Sequence, residues 1–209
     1  IESRKLNVSI NKPKTFFLSL DDYIHKNRLI IPYYCDDRVI WYQTRKLLDD
    51  DTPKYLSKVN SERSLYNMDK IDDDLEYIFI FEGAIDSMFV KNGTCVSGIT
   101  ESGDFMLTDL QSEQFRRFPF HKRVWMLDSP YLDKAARIKT TNLYNSGELV
   151  FQWPQDIGEN FKDFNDMVLK TSKNEIPYKW ILKNIMKEEP KFFKLNLGSL
   201  KDFVNSKFG

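Results

Sequence analysis

The chain has 209 residues, with 31 Lys and Arg balanced by 31 Asp and Glu, two His, two Cys and 41% hydrophobic residues. No run approaches the roughly 20 apolar residues of a membrane-spanning helix, and Cys35 and Cys95 can build neither a disulfide framework nor a four-thiolate zinc site. A net charge of zero argues against gripping nucleic acid by charge alone, but residues 1–28 carry +3 and 170–209 carry +5, leaving −8 in the middle. An acidic centre between basic ends suits metal ions beside a phosphate-binding rim. With no basic-then-apolar leader and two cysteines expected to be reduced and half-buried, the composition is that of a soluble intracellular protein, and the start at Ile1 that of an excised or processed piece.

Residues 1–28 hold Pro13, an apolar patch at 16–20 and, from Asp21 onward, a composition that predicts a helix. The runs 28–34 and 38–44 read as strands of a hairpin with Asp36 and Asp37 in its turn. Arg45, Lys46 and Lys54 surround the acidic tract 49–51, where Thr52 and Pro53 break any regular element, so a long charged loop is expected. The polar, turn-rich stretch 61–74 predicts a linker. From Tyr77 the pattern changes. The apolar run YIFIF at 77–81 suits a strand buried on both faces, Glu82 follows at once, Gly83 frees the turn, and 84–91 carries a helical stripe of Ile85, Met88 and Phe89. A strand at 95–99, a helix at 107–118, a strand at 123–127 ended by Asp128, a helix at 133–145 stopped by Gly147 and a strand at 149–153 follow in turn. Helices at 164–170 and 178–187 come next. The tail beyond Pro190, with Phe192, Phe193, Phe203 and Phe208 at irregular spacing, is expected to pack on this chain or on a partner. Strands alternating with helices argue for an α/β fold with a mostly parallel sheet flanked by helices. A small N-terminal α+β subdomain precedes it and a helical C-terminal segment follows, with boundaries expected at 1–74, 75–170 and 171–209.

Three acidic clusters close strands or open helices: Glu82 with Asp86, Asp128 with Asp133, and Asp163 with Asp166. In a parallel sheet their loops share the C-terminal edge, where open α/β sheets bind ligands. Carboxylates gathered without His or Cys are hard oxygen ligands, suited to Mg²⁺ or Mn²⁺ and unsuited to zinc. Divalent ions held this way activate a hydroxyl and stabilise the leaving oxygen of an in-line phosphoryl displacement. Singly, each acid has an ordinary explanation, because Asp is a common helix N-cap and Asp133 and Asp163 stand where caps stand. Their joint placement carries the weight.

EGAID at 82–86, LD at 127–128 and KDFND at 162–166 resemble the three motifs of the Toprim fold, which DnaG-type primases, topoisomerases and OLD-type nucleases share. Upstream, RVIWYQTRKLLDDDTPKYLS at 38–57 resembles the DnaG-type primase segment in which a hairpin is followed by a Gly-Arg pair and a PKYL stretch. EGAIDSMF, KRVWMLDS and KDFNDMV are similar to stretches of the primase subunits of T-even-type tailed bacteriophages, and the resemblance runs from about 28 to 187. It departs twice. The Asp-x-Asp of the second motif is here Asp128-Ser129-Pro130, so either Asp133 stands in or that metal site is depleted, and Thr44 replaces the glycine beside Arg45, narrowing the approach of a phosphate.

The resemblance implies an enzyme, the RNA-polymerase domain of a phage DNA primase. Such a domain makes short RNA primers on single-stranded DNA from ribonucleoside triphosphates in DNA replication, by two-metal nucleotidyl transfer. It assigns Glu82, Asp86 and Asp128 to catalysis, with Glu82 as metal ligand or as general base for the 3′ hydroxyl. Glu82, Asp86, Asp128, Asp133, Asp163 and Asp166 form the implied ligand set for Mg²⁺ or Mn²⁺, and Arg45, Lys46, Lys54 and Lys162 the implied contacts to nucleotide and nucleic acid. The expected partners are a replicative helicase and a zinc-ribbon domain supplied elsewhere, since two cysteines cannot make one. The expected setting is the bacterial host cytoplasm, with no membrane. Two other functions fit parts of the pattern. A Toprim hydrolase would use the same metals and water, although the P-loop that OLD-type members need does not occur. A catalytically degenerate module docking on a helicase would fit Pro130 and the aromatic tail.

Overall fold

A computed structural model describes residues 1–98 and 107–187. Two four-stranded sheets share one core. The first is antiparallel, β1 (Phe17–Ser19), β2 (Arg28–Cys35), β3 (Arg38–Lys46) and β4 (Tyr55–Ser57), in that spatial order. Asp36 and Asp37 both take left-handed φ, 53° and 62°, as the tight β2–β3 hairpin requires. The second sheet is parallel, with β5 (Tyr77–Phe81), β6 (Gly93–Cys95), β7 (Lys122–Met126) and β8 (Leu149–Val150) in the order β6-β5-β7-β8. Around it lie α1 (Ala84–Ser87), α2 (Asp109–Arg116), α3 (Lys134–Asn145), α4 (Gln155–Gly158), α5 (Phe164–Thr171) and α6 (Tyr178–Lys183).

The pleat divides the parallel sheet's side chains between its two faces. Ile78, Ile80, Trp125 and Leu127 pack with Phe115 of α2 and Leu143 of α3. Phe79, Phe81, Val124 and Met126 pack on the other face with Ile85 of α1, Phe164 and Met167 of α5, and Leu29, Ile31, Tyr33 and Trp41 of the antiparallel sheet. Tyr33 Oη ties the two sheets together, 3.2 Å from Cys95 Sγ and 2.5 Å from Ser97 Oγ.

Several elements differ from the sequence expectation. Residues 21–27 form turns in place of a helix, because Asp22 Oδ1 accepts from the amides of Ile24 and His25 at 2.9 and 2.6 Å and closes the chain locally. The N-terminal part is therefore a sheet with short 3₁₀ turns. The middle of the expected linker at 61–74 is interior, with Leu65, Tyr66 and Met68 in the core. Its polar residues are buried with partners: Gln114 of α2 accepts from Leu65 N at 2.8 Å, and Asn67 Nδ2 donates to Asn11 Oδ1 at 2.9 Å. The helix expected to 91 ends at Ser87, and the chain then wraps over Gly93, where a Cβ would lie 2.4 Å from the Ser87 carbonyl oxygen. The strand expected at 95–99 is Gly93–Cys95, and Ile99 falls outside the described residues, as does the tail beyond Pro190. The helix expected to 187 ends at Lys183, after which Ile185 bridges back to Phe151. Cys35 is half-buried as expected, and Cys95 is fully buried.

Candidate active site

The chain leaves β5 through α1 toward one face of the parallel sheet, and leaves β7 through α3 toward the other. The cleft between the C-terminal ends of these adjacent strands is the switch point at which open α/β sheets hold ligands. Glu82 and Asp128 stand there, one residue past β5 and two past β7. The parity that sends Ile78 and Ile80 toward α3 carries Glu82 the same way. The parity of Val124 and Met126 carries Asp128 toward α1 and α5. Asp86 lies in α1, and its Oδ1 accepts from the Asn165 amide in α5 at 2.9 Å. Asp163 is the N-cap of α5, accepting from Asp166 N at 2.7 Å.

Asp86, Asp128 and Asp163 repel one another. Burial first, then the charges of Asp163 and Asp128, push the Asp86 carboxyl well above the usual range, with Arg4 a weak counterweight. Burial, Asp163, Glu82 and Asp133 push Asp128 up to about 7, against a smaller opposing effect of Lys162. Crowded, partly desolvated carboxylates of this kind are ones that a cation would stabilise in their charged form.

The remaining acids are more committed. Asp133 caps α3, its Oδ1 accepting from Ala135 N and Ala136 N at 2.8 and 3.0 Å. Asp166 Oδ2 accepts from Lys162 N at 3.1 Å and from Lys170 Nζ at 2.8 Å. Glu82 is paired with Lys139 of α3, whose Nζ donates to Oε1 at 2.9 Å. Sequence reasoning passed over Lys139. The signal was its place in the inward stripe of α3, Ala136, Lys139, Thr140 and Leu143, where a charged side chain needs a partner.

On the basic side, the charges around Lys54 are those of Arg45, Lys162, Arg4 and Asp163. They join the rim of the antiparallel sheet to the acidic edge. Arg45 donates to Tyr55 Oη at 2.8 Å and lies over the Tyr55 ring at 4.9 Å. Arg45 is therefore half-buried, while Lys54 is exposed. Lys46 turns toward the Asp50 carboxylate at 3.7 Å within its own loop. Arg4, also passed over, is held beside Asp86 by Asn165, whose Oδ1 accepts from Arg4 Nη1 at 2.9 Å.

Among the described residues, one group of three candidate ligand atoms lies within 4.8 Å of one another, and it is Cys35, Asp36 and Asp69. It sits at the hairpin turn, away from the sheet edge, and its capacity is spent. Arg117 donates to Cys35 Sγ and to Asp36, while Asp69 accepts the amides of Asp36 and Asp37. The carboxylates at the β5–β7 edge are more widely spaced.

The described chain has the fold of a primase RNA-polymerase core. Its structure superposes on the Aquifex aeolicus primase (zinc-binding and RNA-polymerase domains) with a TM-score of 0.54 at 18% identity, over 83% of this chain and 44% of that one. The Escherichia coli primase catalytic core aligns with a TM-score of 0.48 at 16% identity, over 77% of this chain and 53% of that one. In sequence, the chain is 29% identical over 150 residues to the DNA primase of Enterobacteria phage T4. That match covers 70% of this chain and 40% of the phage protein, so the chain spans well under half the length of its curated relative. No family model matches the chain. What the chain resembles, in sequence and in fold, is a DnaG-type primase domain.

Proposed function

We propose that this chain is the RNA-polymerase core of a DNA primase, an enzyme that joins ribonucleotides on a single-stranded DNA template during phage DNA replication. The observation that carries the reading is the crowding of Asp86, Asp128 and Asp163 at the β5–β7 switch point beside Arg45, Lys54, Lys162 and Arg4 on the facing rim. In this reading residues 1–74 form the wall that carries Arg4, Arg45 and Lys54, 75–170 the Toprim core and 171–209 a C-terminal segment.

Asp128, with Asp86 and Asp163, holds the divalent ion, Mg²⁺ or Mn²⁺. When bound, the metal lowers the barrier to in-line attack by neutralising charge on the reacting phosphate. Arg45 and Lys54 orient the nucleotide phosphates, and Lys162 and Arg4 add positive charge beside the acids. Glu82 receives the proton of the primer's 3′ hydroxyl or ligates an ion. Asp133 and Asp166 contribute through their caps and ion pairs, and by water-mediated contact. The partners are the template, ribonucleoside triphosphates, a replicative helicase and a zinc-ribbon domain. The setting is the cytoplasm of the bacterial host, in keeping with the absence, among the described residues, of any helix long and apolar enough to cross a membrane.

Sizing the products after incubation with ribonucleotides, single-stranded template and Mg²⁺, with a zinc-ribbon domain and helicase added, tests the proposal. New short RNA supports it. Shortened template would mean a nuclease, and unchanged nucleic acid a docking module.

A further inference from the structure

We propose that Lys139 is a positioning residue that keeps Glu82 free of metal, so that the divalent ion is held by Asp86, Asp128 and Asp163. The inference rests on the metal-dependent reading above and adds a division of labour within its acids.

Lys139 is 7% exposed, and its stem fills a slot on the inward face of α3 that its neighbours give to Ala136, Thr140 and Leu143. Its ammonium meets Glu82 Oε1 at 2.9 Å. Separating such a pair would leave a buried cation without its partner, so the contact is costly to break. A Mg²⁺ ion on the same oxygen would stand within about 5 Å of Nζ, where like charges repel. Glu82 also leaves its strand toward α3, whereas Asp128 leaves β7 toward the face that carries Asp86 and α5. Glu82 is thus the acid that already has its cation. The other three repel one another, and among the described residues no ion pair joins any of them to a cation.

Mn²⁺ binding, followed by the loss of the free-ion electron paramagnetic resonance signal, tests this on the whole chain. The double variant Glu82→Gln/Lys139→Met removes the pair without changing net charge, and replacing a buried ion pair by neutral groups of similar size is tolerated by most folds. The expected result is a Kd within about twofold of wild type, while Asp128→Asn weakens binding about tenfold or more. Lys139→Met alone should tighten binding several-fold or add a second ion, on the order expected when a like charge is removed, and Lys139→Arg should restore wild-type behaviour. A double variant that binds Mn²⁺ as poorly as Asp128→Asn makes Glu82 a ligand and overturns the proposal. Wild-type protein that takes up no Mn²⁺ defeats the metal reading itself, a result visible before any variant is made.

Discussion

Asp128 is the residue on which the chemistry and the stability of this domain pull in opposite directions. Its folded carboxyl sits at about 7, against a usual value of 3.8. The metal-free fold therefore holds that proton more tightly than the unfolded chain does. The resulting stabilisation is complete below about pH 4 and is lost as pH rises through 7, on the order of a few kcal/mol. In EDTA at pH 8, Asp128→Asn should melt several degrees above wild type, and the gap should close as pH falls toward 5, when measured by thermal denaturation. Adding Mg²⁺ should raise the wild-type melting temperature and leave that of Asp128→Asn nearly unchanged. A flat pH profile in wild type would mean that the carboxylates do not crowd one another. Lys54→Ala should weaken template-dependent synthesis about tenfold at low salt and by less at high salt, with unchanged melting. Arg45→Ala should do the same and also cost about 1 kcal/mol, because the Tyr55 hydrogen bond and ring contact are lost. The acids were legible in the sequence because each follows an apolar run or opens a helix. Lys139 and Arg4 were not, since their roles depend on contacts with Glu82, 57 positions away, and with Asn165, 161 positions away.

At the level of elements, the same separation between capping and ligation can be made at the start of α3. Asn caps a helix about as well as Asp, whereas Ala loses about 1 kcal/mol. Asp133→Asn should therefore keep the melting temperature, and Asp133→Ala should lower it by a few degrees. If Mg²⁺ dependence of the rate stays the same in Asp133→Asn, Asp133 is a cap alone; a shift would show that its charge reaches the ion. The loop after β7 is anchored by Ser129, whose Oγ donates to the Gly158 carbonyl at 2.6 Å and whose amide donates to the Lys162 carbonyl at 2.8 Å. A Cβ at Gly158 would lie 2.4 Å from the Tyr131 ring. Gly158→Ala should displace that loop and Asp128 with it, lowering synthesis more than stability, as activity and melting measured together would reveal. The strands β2, β3, β5 and β7 were readable because apolar runs and turn residues agree there. The segment 61–74 was not. Ser64 and Asn67 look like loop residues by composition, yet Gln114 and Asn11 satisfy them inside the protein, and such pairings lie beyond any local window.

Across the whole molecule, the uneven charge of a formally neutral chain has a spatial meaning. Arg4, from the basic N-terminal stretch, feels the charge of Asp86, and Lys54, from the antiparallel sheet, feels that of Asp163 and of its neighbour Arg45. Salt should therefore weaken nucleic-acid binding while divalent ions strengthen it. The most direct measurement supplies an RNA primer already annealed to a DNA template and a single ribonucleotide complementary to the next template base, with Mg²⁺ as the ion. The expected result is extension of the primer by one residue in wild type, lost in Asp128→Asn and in EDTA. A primer that is shortened, or that grows equally well in Asp128→Asn, would contradict nucleotidyl transfer at the β5–β7 edge.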